Sequence, residues 1–177
     1  MYFVRHSNRE YKNDYTSKYG LDSGLSVFGL ENAFSYFTDL KENGYIPQKI
    51  FSSPYLRCRQ TAMIAKLVFQ LDIDIEYIPL LGERFWKPIN KSLTPITFET
   101  HMLKPILFAE SGQQFESRLK RFYSTHNEPG LYISHGYTIE KLAEWYNQKI
   151  EYPEPLGGFQ VNDLQIIDPT LVSNNAT

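Results

Sequence analysis

Phe3-Val4-Arg5-His6-Ser7 decides how this chain is read. An apolar run stops abruptly at an arginine beside a histidine. A short buried strand that hands Arg-His to its carboxyl end puts a cation and an imidazole at the rim of a sheet, where open α/β sheets bind their ligands. A second stretch, Tyr132-Ile133-Ser134-His135-Gly136, has the same form, a strand ending in histidine with a helix after it. Two such strands in one parallel sheet bring His6 and His135 to one edge, and Gly136 lets the backbone approach a ligand there.

The segments between these two stretches fill in an α/β order. Residues 7–24 are polar and read as a loop. Ser26 is a good N-cap, with Leu25 and Leu30 placed for a hydrophobic staple. Leu30, Ala33, Phe34 and Phe37 recur at helical spacing, and Gly44 ends that helix. Lys49–Ser52 is a short strand. Ser53-Pro54 reads as an N-cap followed by proline at the first helical position, and the helix runs to about Gln70. Ile73–Leu81 alternates and is rich in β-branched residues, which predicts a third strand. Residues 84–110 are irregular, with Pro88, Pro95, Pro105, Phe85 and Trp86, and are expected to form a small insertion or lid. Ser111-x-x-Gln114 is a capping box, and Phe115, Leu119 and Phe122 follow on one helical face. After the strand Gly130–Ser134, a last helix shows Ile139, Leu142, Ala143 and Tyr146 on one face. Gln160–Ile167 reads as an edge strand, and the polar tail begins at Asp168. The order predicts a three-layer α/β/α sandwich around a mostly parallel central sheet.

Composition narrows the function classes. With 177 residues, 42% of them hydrophobic, the chain suits one domain over 1–177 with a sizeable core. A net charge of −2 argues against nucleic acid as a partner, so any anion site must be a local cluster of arginines. The single cysteine, Cys58, rules out a disulfide within the chain and fits a reducing compartment. Cys58 lies between two arginines, which would suit a reactive thiolate, but a small buried packing residue is the reading preferred. No leader and no membrane span is visible, so a cytoplasmic location is expected and no membrane partner.

The candidate chemistry lies in four pieces. Arg5-His6 is the first, and Arg9, three residues on, offers a second guanidinium suited to bidentate contact with phosphate oxygens. In Ser52-Ser53-Pro54-Tyr55-Leu56-Arg57-Cys58-Arg59-Gln60-Thr61-Ala62, a cap at Ser53 puts Arg57 about one turn inside a helix whose free N–H groups and dipole already favour an anion. Arg57 and Thr61 then share a face, and Arg59 points to solvent. His135-Gly136 is the third piece. Glu83, in Leu80-Leu81-Gly82-Glu83-Arg84, follows the third strand at the same rim, where a carboxylic acid can protonate a leaving oxygen. Asn8 is a weaker substrate contact. His101 and His126 lack such context and read as surface residues. No glycine-rich nucleotide loop and no zinc-like Cys/His spacing is present, so neither a metal nor another cofactor is expected.

Taken together, these motifs resemble the histidine phosphatase superfamily, also called phosphoglycerate mutase-like. Its Arg-His-Gly is matched by Arg5-His6-Ser7, and its Leu-Ser/Thr-x-x-Gly-x-x-x-Ala by Leu25 to Ala33. Its Ser-Ser-Pro-x-x-Arg-x-x-Gln-Thr-Ala is matched by Ser52 to Ala62 without a gap, its Leu-x-Glu by Leu81-Gly82-Glu83, and its Ser-His-Gly by Ser134-His135-Gly136. The resemblance implies a phosphoglycerate mutase-like fold and a metal-independent phosphatase acting on phosphomonoesters or phosphoramidates. It implies His6 as the nucleophile, Arg5, Arg57 and His135 as phosphoryl ligands, and Glu83 as general acid and then base. Arg9 stands where several phosphatase branches also carry arginine, and Ser7 departs from the usual glycine. The substrate would be a phosphorylated small molecule or a phosphoprotein. The alternatives are phosphoglycerate mutase-type transfer and a non-catalytic phosphate-binding module.

Overall fold

The computed structural model describes residues 1–10, 22–83 and 110–161. Its elements run β1 (Tyr2–Arg5), α1 (Val27–Glu42), β2 (Ile50–Ser52), α2 (Leu56–Phe69), β3 (Ile75–Tyr77), a 3-10 turn at Pro79–Leu81, α3 (Gly112–Thr125), β4 (Leu131–Ser134), α4 (Gly136–Trp145) and β5 (Gly158–Gln160). The sheet order is β3-β2-β4-β1-β5. The first four strands in that order pair in parallel, and β5 closes the β1 edge antiparallel.

Strand alternation makes the three layers. Val4, Ile50, Leu131 and Ile133 face α1 and α2, where Ala33, Phe37, Ala62 and Ala65 are buried. Phe3, Phe51 and Tyr132 face the other way, onto Phe115, Leu119 and Phe122 of α3 and Ile139 and Leu142 of α4. On this second face, register stacks rings across four strands. The centroid spacings are 4.5 Å for Phe51–Tyr132, 4.8 Å for Tyr132–Phe3 and 4.8 Å for Phe3–Phe159. Cross-strand aromatic pairs of this kind are the unit that holds a sheet in register.

Several local expectations are corrected. The α1 cap is as expected, with Ser26 Oγ accepting from Gly29 N at 3.0 Å. The staple is not, since Leu25 is buried while Leu30 is 40% exposed. The buried stripe of α1 is Gly29, Ala33 and Phe37, so Leu30 and Phe34 face outward. Gly29 is fixed by close approach, because a Cβ there would lie 2.0 Å from the carbonyl oxygen of Asn8. The third strand is shorter than expected, since Pro79, without an N–H to pair, opens the 3-10 turn instead. The edge strand begins earlier than expected, at Gly158. The capping box at Ser111 forms as expected. The expected lid lies outside the described residues except Glu110, as do His101 and the stretch expected to continue the edge strand beyond Val161.

Candidate active site

The parallel register delivers the site. Arg5 of β1 pairs level with Ser134 of β4, so His6 and His135 leave adjacent strands side by side. Ser53 leaves β2 on the far side of β4, its N–H donating to Ile133 O at 2.8 Å. The imidazole centroids of His6 and His135 stand 5.4 Å apart.

Hydrogen bonds fix what each ring nitrogen does. His6 Nδ1 lies 2.7 Å from the carbonyl oxygen of Ser7, which can only accept, so Nδ1 carries the proton. Nε2 then carries the lone pair, which accepts from Arg57 Nε at 3.2 Å. His135 has the other tautomer. Arg57 Nη2 donates to its Nδ1 at 3.2 Å, and its Nε2 donates to Ser53 Oγ at 2.9 Å. Both rings are buried, and desolvation first, then the Arg57 charge, holds each well below the usual imidazole value. Arg5 and Arg9 push His6 further in the same direction, against the Ser7 hydrogen bond. Both imidazoles are therefore neutral at neutral pH, the form in which a ring nitrogen can attack.

Arg57 is the hub of the site and is fully buried. Its Nη2 donates to Glu83 Oε2, and its Nη1 lies 3.8 Å from Asp22 Oδ1. It sits at the second position of α2, in the first turn, whose backbone N–H groups lack partners within the helix. The expected cap is corrected here. Ser53 does not cap α2, because its hydroxyl is committed to His135. The cap position falls on Tyr55, which supplies no side-chain acceptor, and Asp22 Oδ1 accepts from Leu56 N at 2.6 Å. Burial pushes the Asp22 carboxyl up, opposed by that N–H and by Arg57.

Glu83 is aimed by its own turn. Ser134 Oγ donates to Leu81 O at 2.7 Å and Thr138 Oγ1 to Gly82 O at 3.0 Å, while Arg118 of α3 donates to the carbonyls of Leu80 and Gly82. The carboxylate ends up 3.7 Å from His135 Nδ1.

Arg57 thus touches His6, His135 and Glu83, and Glu83 and His6 each lie beside His135. Arg5 is beside them without touching either ring. Its Nη1 donates to Pro153 O at 2.8 Å, its guanidinium lies 5.0 Å from the Tyr152 ring centroid, and its buried Nε has no partner among the described residues. Arg9 reaches the site through its charge, its backbone bridging Leu25. Gly136 makes room for Tyr152, a Cβ there falling 2.4 Å from that ring. Asn8 is turned to α1, its Oδ1 accepting from Asn32 at 3.0 Å. Arg59 is exposed over Tyr77, and His126 stacks on Phe122. Cys58 is buried beside His135, and burial pushes its thiol up, away from the reactive thiolate.

Sequence reasoning missed Asp22, Ser53 as a histidine partner, Gln60, Arg118 and Thr138. Gln60 Oε1 accepts from Leu25 N at 2.7 Å, and Thr61 Oγ1 accepts from Ser7 N at 3.2 Å. The i+3 and i+4 spacing of Gln60 and Thr61 from Arg57 is a usable signal for the face they share. Among the described residues no three His, Cys, Asp or Glu side chains are grouped to hold a metal, and no helix is long and apolar enough to cross a membrane.

A protein of Hydrogenobacter thermophilus, provisionally named phosphoserine phosphatase 2, is 27% identical over 159 residues, covering 81% of this chain and 76% of its own. The crystal structure of phosphoglycerate mutase from Bacillus anthracis superimposes with a TM-score of 0.64 at 18% identity, covering 92% of this chain and 91% of that one. The native structure of mycobacterial glucosyl-3-phosphoglycerate phosphatase gives 0.58 at 16% identity, covering 88% and 86%. The fold is therefore phosphoglycerate mutase-like. The family model for the histidine phosphatase superfamily, branch 1, matches residues 1–156, and the chain belongs to that superfamily.

Proposed function

We propose that the protein is a phosphatase that hydrolyses phosphomonoesters or phosphoramidates through a phosphohistidine on His6. The observation that carries this reading is the His6 ring itself. It is neutral, its Nδ1 proton is committed to Ser7 O, and its Nε2 lone pair faces the guanidinium of Arg57.

The steps follow from the contacts. The Nε2 lone pair attacks phosphorus, a P–N bond forms, and the bond from phosphorus to the leaving oxygen or nitrogen breaks. Glu83 gives its proton to the leaving atom. Water then attacks the phosphoryl group, its proton passes to Glu83, and the P–N bond breaks to return neutral His6 and phosphate. Arg57, the open Nε of Arg5, Arg9 and His135 supply donors and positive charge to the transferring oxygens, which is what phosphoryl transfer demands of a protein. With guanidinium groups in that role the reaction needs no metal. Glu83 is ion-paired with Arg57. An arriving dianion takes over the guanidinium and releases the Glu83 carboxyl to face the leaving atom.

Hydrolysis of para-nitrophenyl phosphate without added metal, with an acid-labile, alkali-stable adduct trapped on His6, is the expected result. An active preparation whose adduct sits on another side chain overturns the reading. Interconversion of 2- and 3-phosphoglycerate would identify a mutase instead, and phosphate binding without any turnover a binding module.

A further inference from the structure

Asp22 is the buried carboxylate among the described residues that the proposed chemistry leaves unused, with 6% of its surface exposed. It comes from the 7–24 segment and meets α2 across 34 residues of sequence, doing two things there. Its Oδ1 takes the Leu56 N–H at the start of α2, the role that Ser53 has given up. The same oxygen lies 3.8 Å from Arg57 Nη1.

Arg57 is therefore gripped from two sides by carboxylates of different standing. Glu83, on Nη2, is partly exposed and is the group a phosphoryl dianion displaces. Asp22, on Nη1, is buried behind the guanidinium and stays. A planar guanidinium held at Nη1 has its Nε and Nη2 edges turned toward His6 and His135, where the transferring oxygens must lie.

We propose that Asp22 is a positioning residue for phosphoryl transfer, holding the guanidinium of Arg57 in its working plane from behind. This rests on the reading of Arg57 as a phosphoryl ligand. Gln60, accepting from Leu25 N, ties the segment that carries Asp22 to α2 a second time, so the brace is built into the helix it braces.

A double-mutant cycle separates bracing from helix capping. Asp22→Asn keeps an oxygen for Leu56 N and removes the charge facing Arg57. It is expected to lower kcat/KM for para-nitrophenyl phosphate about tenfold with little change in thermal midpoint, as small misplacements of a clamp do. In an Arg57→Ala background the same change is expected to move kcat/KM by less than about twofold. Asp22→Ser, which keeps a short oxygen acceptor, replaces the amide variant should that one fail to fold. Wild-type kcat/KM in Asp22→Asn, or an equal loss in both backgrounds, overturns the proposal and leaves Asp22 a helix cap alone. If the unmutated protein hydrolyses no phosphate ester, the phosphatase reading falls by itself. The same cycle read as the Kd for inorganic phosphate then decides on Asp22: non-additive effects support the brace and additive ones overturn it.

Discussion

The Nε–H of Arg57 donates to Nε2 of His6 across 3.2 Å, so the guanidinium rests on the one imidazole nitrogen that carries no proton. The phosphoryl ligand and the nucleophile proposed here are neighbours before any substrate arrives. A tetrahedral anion entering between them meets its attacking atom and its positive charge together, with little left to reorganise.

Replacing His6 with alanine is expected to abolish turnover while leaving the fold intact, because the ring's own hydrogen bonds go to Ser7 O and Arg57 and hold no strand or helix together. Rapid acid quench with a radiolabelled phosphate ester should find no covalent adduct in the variant. Residual steady-state turnover above about a thousandth of wild type would be inconsistent with a phosphohistidine at this position.

For Glu83→Gln, kcat is expected to fall while inorganic phosphate binds at least as tightly as in wild type, since the competing carboxylate on Arg57 is gone. Calorimetric titration with phosphate, alongside a pH–rate profile, checks both halves. Full activity across the pH range would remove Glu83 from the acid–base role.

Arg57→Ala is expected to cost at least about 2–3 kcal/mol of transition-state stabilisation, the loss that follows removal of one preorganised donor. Arg57→Lys should recover little of it, because a lysine ammonium cannot present Nε and Nη2 to two rings at once. Comparison of kcat/KM for the three proteins measures this directly, and a fully active lysine variant would contradict it.

Stability should fall on mild acidification. Burial, then Arg57, depresses both His6 and His135 from 6.5 in the native chain. Below that value the unfolded chain binds protons that the native chain refuses. The loss is about 1.4 kcal/mol per pH unit for each ring until its folded value is reached. Asp22 acts in the opposite sense, since its raised carboxyl takes a proton first in the native chain, and its contribution grows only as the pH falls toward 3.8. Urea unfolding at about pH 7.5 and about pH 6 reads the histidine effect. A flat profile would mean that the rings are not held neutral.

Gly29→Ala and Gly136→Ala should differ sharply. The new methyl at 29 meets the backbone oxygen of Asn8 at 2.0 Å, which cannot move without shifting the 8–10 segment behind His6. A destabilisation of about 1–3 kcal/mol is expected, with lost activity. The methyl at 136 meets the half-exposed ring of Tyr152, which can swing outward. Thermal midpoints of the two variants test the contrast, and equal midpoints would refute it.

The fold was legible because the two strand-ending histidines and the capping signals at Ser26 and Ser111 are local. Each can be read within a few residues, and each formed as read. Long-range features were not legible in this way. No local rule assigns the α2 cap to an aspartate 34 residues away, and Ser53-Pro54 offers a convincing local answer that the histidine partner overrides. The α1 face was misread for another reason. Val27, Phe28, Leu30 and Phe34 are apolar but exposed, so hydrophobic spacing finds Ala33 and Phe37 but also draws in Leu30 and Phe34 from the outer face. The four contacting site residues were legible as residues. Their tautomers, and the turn that aims Glu83, needed the carbonyls of Ser7, Leu81 and Gly82 to be in place.

The gap between the two imidazoles is set by β1 and β4, whose backbones pair one residue before each ring. Sheet spacing, not loop conformation, thus acts as the gauge of the proposed reaction centre. Under the proposed function, loop sequences can change without recalibrating it, and a chimera that exchanges the surrounding loops while keeping both strands should keep the proposed chemistry and change only its choice of ester.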